Sequence, residues 1–312
     1  RQAVTTMDPA EVTEIVKASC LRGRGGAGFP PGLKWSFIDN NAWPHYVCAN
    51  ADESEPGTFK DREIMERNPF QFLEGVALCA YAIQAKAAYI YLRGEFWQVR
   101  DALDRQIAEL EEAGLLGDNL FETDYSLRIY NHLGAGAYIC GEETALLESM
   151  EGKRGQPRLR PPFPPSFGLY GKPTVVNNVE TLTSVPLIVE RGADWYRGFG
   201  TEKSTGTKIF SLSGRVNKPG NYELPLGTTF RELIFEHGGG ISDGKQIKAI
   251  MAAGASSSLI VANEEALDTP MDYESVPNVG AQLGSASVIV IDETVSIDWL
   301  LHKTMHFFNH ES

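Results

Sequence analysis

A chain of 312 residues, 42% of them hydrophobic, has room for two or three domains with real cores. Its net charge of −13, spread along the chain, argues against nucleic acid and anionic membrane surfaces as general partners. No apolar run approaches the roughly 20 residues that a bilayer-spanning helix needs, and the cysteines at 20, 48, 79 and 140 lack zinc, redox or iron–sulfur spacing, so no metal is assigned. Cys48 and Cys79 fall in apolar stretches and are expected to be small buried residues in a reducing compartment. Arg1 opens neither with an initiator Met nor with a signal peptide, which leads us to expect a chain cut at its front.

The first element is a helix over 8–19, with Asp8 as N-cap, Pro9 at the first helical position, and Val12, Ile15 and Val16 on one face. It runs into "LRGRGGAGFPPGLKW", residues 21–35, where Gly23, Gly25 and Gly28 satisfy G-x-G-x-x-G. A dinucleotide fingerprint of that form follows a strand and opens a helix. This one follows a helix, and Pro30 and Pro31 are expected to bar any helix starting there. A non-Rossmann nucleotide loop and a mobile surface loop both remain open at this point.

"HYVCAN", 45–50, reads as a strand that delivers the acidic turn "ADESEPG", 51–57. Two amphipathic stretches follow, 58–68 and 69–85, then a strand "AAYIYLRG" and a long helix over 95–114 with Phe96, Val99, Leu103, Ile107 and Leu110 near helical spacing. "SLRIYNHL", 126–133, alternates as a strand and feeds a second glycine-rich turn, "GAGAYICGEETALLESM". The proline-rich, basic stretch 153–173 can be neither a helix nor a central strand. "TVVNNVETLTSVPLIVERG", 174–192, resumes a helix, with Asn177 and Glu180 spaced as a capping box. Strands alternating with helices predict a mostly parallel sheet, whose ligands bind beyond the carboxyl ends of the strands.

A domain boundary is expected near 200–206. Beyond it two strands joined by a turn, a helix ended by Gly238–Gly240, and strands at "IKAIMAAG" and "ASVIVID" suit a separate domain of about 85 residues. The last segment is helical, with Ile297, Leu300, Leu301, Thr304 and Phe308 along one face and no partner in sight, so a further helical domain is expected to follow.

Hydrolase and kinase chemistry find no support: there is no G-x-S-x-G elbow, no phosphate loop of the G-x-x-x-x-G-K-[ST] type, and no Cys–His pairing. What the three turns offer is close backbone approach, Arg24, Lys34 and Arg160 for phosphates, acids for ribose or ring nitrogens, and aromatic faces for stacking. Such parts hold nucleotide cofactors, which bring their own chemistry. Each also has a plain structural reading: Phe29, Trp35 and Phe37 as core, Glu142 and Glu143 as caps of a helix from Thr144, and Asp52, Glu53 and Glu55 as a solvated turn.

Taken together, "LRGRGGAGFPPGLKW", "CANADESEPGTFKDR", "GAGAYICGEETALLESMEGKRGQPRLRPPFPP" and "GKPTVVNNVETL" resemble the NADH-binding FMN flavoprotein subunit of respiratory complex I, the NADH:quinone oxidoreductase. "SGRVNKPGNYELPLGTTFRELI" is similar to that subunit's ubiquitin-like β-grasp domain of the soluble-ligand-binding type. The resemblance implies an α/β fold: a Rossmann-like parallel-sheet FMN/NADH domain over 1–203, a β-grasp domain over 204–292, and over 293–312 the first helix of a helical iron–sulfur domain. It also implies hydride transfer from NADH to FMN and onward transfer of single electrons. FMN would lie against Gly23, Arg24, Gly25 and Lys34, against Asn50, Asp52 and Glu53, against Tyr138, Gly141, Glu142 and Glu143, and against Asn177, Asn178 and Thr181. NADH would meet Phe29, Phe37, Glu55, Arg160 and Phe163. No side chain is implied as acid or base; Glu142 and Glu143 would tune the site.

The resemblance further implies a [4Fe-4S] cluster whose ligands are absent from this sequence, and peripheral-arm partners including a [2Fe-2S] subunit. It places the chain at the cytoplasmic face of the inner membrane, or the matrix side in mitochondria, without insertion. Pro31 stands where the family commonly has Thr or Ser, Arg160 where lysine is usual, and "MAAGASSSLI" is looser than the family form. Diaphorase subunits of NAD-reducing hydrogenases and NAD-linked formate dehydrogenases share these motifs, and a non-catalytic nucleotide-binding module is a third reading.

Overall fold

The structure, a computed structural model, describes residues 1–311. Of the segment 293–312, expected to open a helical domain, Ser312 lies outside the described residues. The chain divides into two compact units: Arg1–Gly25, Phe29–Ser54 and Asp61–Tyr196 form the first, and Gly26–Gly28, Glu55–Lys60 and Arg197–Ser312 the second. Two short turns from the front half of the chain thus belong to the second unit.

In the first unit, helices α1 (Gln2–Thr6), α2 (Pro9–Ala18) and α3 (Pro31–Trp35) precede β1 (His45–Ala51). There follow α4 (Lys60–Arg67), α5 (Pro69–Ala82), β2 (Ala85–Leu92), α6 (Trp97–Glu112), β3 (Arg128–Leu133), α7 (Glu143–Met150), β4 (Thr174–Asn178), α8 (Val179–Arg191) and α9 (Ala193–Arg197). The sheet runs β3-β2-β1-β4, and each neighbouring pair is parallel. β1 is buried almost throughout, as a strand covered on both faces must be. Asn50 pairs with both Tyr91 and Asn178, and Leu92 with Leu133, so the four strands finish along one edge. α6 turns Val99, Leu103 and Ile107 inward. α5 and α8 approach so closely that a Cβ on Gly75 would sit 2.0 Å from the Leu182 carbonyl oxygen.

Two expectations are corrected. Pro30 and Pro31 do not bar a helix: Pro30 occupies the N-cap position and Pro31 the first helical position of α3, where an N–H would have no intrahelical partner. Residues 174–178 are not helical either. They form the fourth strand, and the cap of α8 is Asn178, whose side chain accepts from Thr181 N–H at 3.4 Å, in place of an Asn177–Glu180 box.

The second unit carries β5 (Thr207–Gly214), β6 (Gly220–Pro225), β7 (Ile247–Ala255), β8 (Leu259–Val261) and β9 (Ser287–Asp292) in the order β6-β5-β9-β7-β8. The β5–β9 pair is parallel and the others antiparallel. Phe210, Leu212, Phe230, Leu233, Ile250 and Val288 form its core. The expected helix is a π-helical turn at Glu232–His237; β8 was not expected. Within this unit the segment 55–60 is fastened by hydrogen bonds from Phe59 N–H to Ser211 Oγ (3.3 Å) and from Asn221 Nδ2 to Phe59 O (3.1 Å). Helix α10 (Glu264–Leu267) is short, and α11 (Ile297–Glu311) has no buried residue. Among the described residues, no helix is long and apolar enough to cross a membrane.

Candidate functional site

Within the first unit, the turns beyond the strand ends bring most of the expected residues to the carboxyl edge of the sheet. The glycine loop closes on itself through Gly23 N–H donating to Phe29 O at 3.1 Å. Its Arg24 N–H donates to Thr181 Oγ1 at 2.8 Å, which ties the loop to the first turn of α8. Gly25 lies against that same turn: a Cβ there would stand 2.9 Å from Asn178 Cβ. The Arg24 side chain is fully buried and turns inward, donating to Tyr196 Oη at 2.8 Å. Arg24 therefore serves this edge through its backbone, and its guanidinium anchors the loop.

At the end of β1, Asn50 Nδ2 donates to Gly141 O at 2.9 Å, and Asn50 Oδ1 accepts from Asp52 N–H. The acidic turn and the Tyr138–Gly141 turn are thereby joined, and a Cβ on Gly141 would meet Asp52 Oδ2 at 3.3 Å. Glu53 is no solvated residue: it is buried and accepts from Asp61 and Arg62 N–H at 2.7 and 3.0 Å, capping α4. Glu55 falls in the second unit, where its carboxylate accepts from Ser256 N–H at 2.9 Å.

The two glutamates of the Gly-Glu-Glu turn divide their work. Glu142 is the N-cap of α7, accepting from Thr144 and Ala145 N–H at 2.9 and 3.0 Å. Glu143 faces cations: Lys34 Nζ is 3.0 Å from one oxygen and Arg160 Nη1 3.3 Å from the other. Arg160 Nη2 also reaches Glu142 at 3.5 Å. Lys34 is held by a second bond, to Val176 O at 3.0 Å. The result is a half-buried, alternating set of two cations and two carboxylates, matched in charge and open to polar ligands.

Asn177 has its amide fixed by Trp35, whose buried indole Nε1 donates to Asn177 Oδ1 at 2.8 Å. Asn178 Nδ2 donates to Asp61 Oδ2 at 2.7 Å. Of the aromatics, Trp35 is core, whereas Phe29, Phe37 and Phe163 are 44, 52 and 56% exposed, and the Phe29 and Phe37 rings lie 6.4 Å apart. Exposed phenyl rings on the segments that also carry Lys34 and Arg160 suit a ligand with both a flat ring and phosphates.

Several participants escape a reading of the sequence. Trp35 reads as core and is core, yet it orients Asn177. Arg93, beyond the end of β2, donates to Glu53 O at 2.8 Å and pairs with Glu95, an ion pair that lowers the Glu95 pKa. Gly94 beside it approaches the second glycine turn, where its Cβ would lie 2.7 Å from Gly136 N. The signal was an Arg-Gly pair at a strand end.

A four-stranded parallel sheet with glycine turns, buried amides and paired charges at its carboxyl edge defines an α/β protein of the nucleotide-cofactor class. The Nuo51 FMN-binding domain matches residues 16–187, and an SLBB domain matches 209–257. An NADH-quinone oxidoreductase subunit of Rhizobium meliloti strain 1021 is 52% identical over the whole of this chain and 74% of its own length. The corresponding NADH-quinone oxidoreductase subunit of Mycobacterium tuberculosis H37Rv is 50% identical, again over the whole chain and 70% of its own length. Among solved structures, an NAD+-reducing [NiFe]-hydrogenase in the air-oxidized state superposes with a TM-score of 0.88 at 40% identity. The superposition covers 98% of this chain and half of that one. The chain belongs to the family of NADH-quinone oxidoreductase subunits built on the Nuo51 FMN-binding domain, and its β-grasp-like second unit carries the SLBB domain.

Proposed function

We propose that this chain is the electron-entry subunit of an NADH:quinone oxidoreductase, which takes hydride from NADH on bound FMN. The observation that carries the proposal is the strand-end constellation of the first unit, within residues that match the FMN-binding domain. Its residues suit an FMN. The loop 23–25 presents backbone close to the start of α8, where Gly25 has no room for a Cβ, and helix starts favour phosphate. Lys34 adds a cation, while Asn50 and Asn177 add amides on rigid supports.

In this reading FMN contacts Gly23, Arg24, Gly25, Lys34, Asn50, Asp52, Glu53, Tyr138, Gly141, Glu142, Glu143, Asn177, Asn178 and Thr181. NADH contacts Phe29, Phe37, Arg160 and Phe163, all in the first unit. When bound, FMN supplies the chemistry: it accepts two electrons from a dihydronicotinamide and gives them up singly. The chain's own residues bind and orient. Glu142 holds the start of α7, Glu143 keeps Lys34 and Arg160 in place, and the exposed phenyl rings give a dinucleotide flat surfaces while excluding water. The hydride step itself asks for orientation and not for an acid or base, and the proton left when both electrons have gone would pass to solvent.

The larger assembly belongs to the same proposal. Electrons would leave through iron–sulfur clusters, a [4Fe-4S] among them, with a [2Fe-2S] subunit as neighbour, at the cytoplasmic or matrix face of the membrane. A second reading, the diaphorase subunit of an NAD-reducing hydrogenase, is supported by the 0.88 superposition. The higher identity to the NADH-quinone oxidoreductase relatives favours the first. Metal analysis of the complex isolated through this chain separates them: nickel supports the hydrogenase reading, iron without nickel the quinone one. The activity itself is tested by steady-state NADH oxidation with ferricyanide, with and without added FMN. The expected result is oxidation that depends on FMN; a protein that holds FMN stoichiometrically and leaves NADH intact would overturn the proposal.

A further inference from the structure

Arg160 is 41% exposed at its side chain and meets its carboxylates only at 3.3 and 3.5 Å. Exposed pairs of that length contribute little, so they cannot fix the segment that carries Arg160. That segment, the proline-rich strap 153–173, has no regular ladder: beyond Arg160 it is pinned by backbone bonds to Phe163 O, Pro164 O and Pro165 O, and before Arg160 it is fixed two residues earlier.

The Arg158 side chain is 18% exposed and lies among groups of α7 and its neighbours. Its Nε pairs with Glu148, its Nη2 with Glu151 at 2.7 Å, and its Nη1 donates to Gly168 O at 3.0 Å. Glu151 is a shared anchor, since it also accepts from Lys153 Nζ at 2.7 Å and from Tyr170 N–H at 2.8 Å. One carboxylate therefore holds the strap at its beginning, at Arg158 and near its end. Arg158 itself closes the stretch 158–168 into a loop whose tip carries Arg160 and Phe163.

The backbone of Arg158 supplies a second link. Its N–H donates at 2.8 Å to Thr144 Oγ1, and that hydroxyl donates to Glu142 Oε2. A buried threonine thus couples the register of the strap to the glutamate that caps α7. A shift of the strap would pull on Glu142 and carry Arg160 away from both acids.

We infer that Arg158 is a positioning residue for dinucleotide binding: with Thr144, it sets the strap so that Arg160 faces the Glu142–Glu143 pair and the exposed Phe163 stays on the same loop. The inference rests on the NADH reading above. Dinucleotide recognition then depends on a residue that touches neither dinucleotide nor flavin, whereas flavin retention depends on it less, because the glycine loop, Lys34, Asn50 and Asn177 are held by bonds that do not involve Arg158.

The test compares Arg158→Lys, which keeps a charge but loses the fork, with Thr144→Val and Thr144→Ser, in the protein loaded with FMN. The expected result for Arg158→Lys is a KM for NADH raised about tenfold, with kcat within about twofold and most of the flavin retained; Thr144→Val, which also releases Glu142, should raise KM at least as much. Thr144→Ser, which keeps the hydroxyl, should restore KM. A readout independent of turnover is amide hydrogen exchange in the flavin-free protein. Exchange should quicken over 158–168 in Arg158→Lys while the α2 and α5 amides stay protected. Quickened exchange with an unchanged KM, or loss of flavin and kcat together, would overturn the inference. Failure of the NADH reading looks different: wild-type, FMN-loaded protein would not oxidise NADH, whatever the exchange pattern.

Discussion

The glycine loop 21–29 and the proline strap 153–173 are both irregular, and both supply residues to the candidate site, yet they are held with different emphasis. The loop is held by close backbone approach and one buried cation: Gly25 lies where a Cβ would meet Asn178, backbone N–H groups find Thr181 Oγ1 and Phe29 O, and the Arg24 guanidinium donates to Tyr196 Oη. The strap is held by large charged side chains, through Arg158 and its two acids. A loop of the first kind presents backbone donors and tolerates no added atom where it meets the helix start, at Gly25. One of the second kind presents side chains and tolerates changes at its tip but not at its anchor.

The largest effect expected from breaking that contrast is at the anchor. Arg158→Met leaves Glu148 and Glu151 facing an apolar group in a mostly enclosed site, and should cost roughly 2–4 kcal/mol in denaturant unfolding. Gly25→Ala comes next, at about 1–3 kcal/mol of crowding against Asn178. Its sharper signature is flavin content on purification, which should fall well below that of Gly25 protein. Arg160→Ala, at the exposed tip, should change stability by less than about 0.5 kcal/mol while raising KM for NADH. An Arg160→Ala protein as unstable as Arg158→Met would erase the distinction between tip and anchor.

The smallest effect is a pH dependence beside the second glycine turn. His132 stacks on Tyr91 with ring centroids 5.4 Å apart, and burial lowers its pKa from 6.5. The neutral ring is favoured in the folded state, so this contribution to stability is complete above pH 6.5 and is lost as the pH falls below it. His132→Phe, which retains a ring, should show a smaller drop in Tm than His132 protein between about pH 7.5 and about pH 5.5.

Much of this architecture is legible in sequence because its elements carry local signals. The period of α6 and the apolar run of β1 are examples, and the family motifs mark the turns at the strand ends. β4 was hidden because its five residues run without a break into α8, so strand and helix read as one helical stretch. The Asn177–Glu180 spacing points one residue too early: Asn178 ends β4 and caps α8 through its side chain. The directions of Arg24 and Glu53 were hidden for another reason. Each side chain is committed to partners that the chain reaches only after folding, Tyr196 for the one and the first turn of α4 for the other. Composition can name a charged residue in a loop, but only packing shows whether its charge faces a ligand or holds the loop.

That this strand-end site oxidises NADH on FMN is open to a decisive experiment: anaerobic single-turnover mixing of the FMN-loaded protein with one equivalent of NADH. The expected result is loss of the oxidised flavin absorbance in step with NADH consumption, slowed when the transferred hydride of NADH is replaced by deuteride. Full flavin occupancy with absorbance unchanged under excess NADH would contradict it.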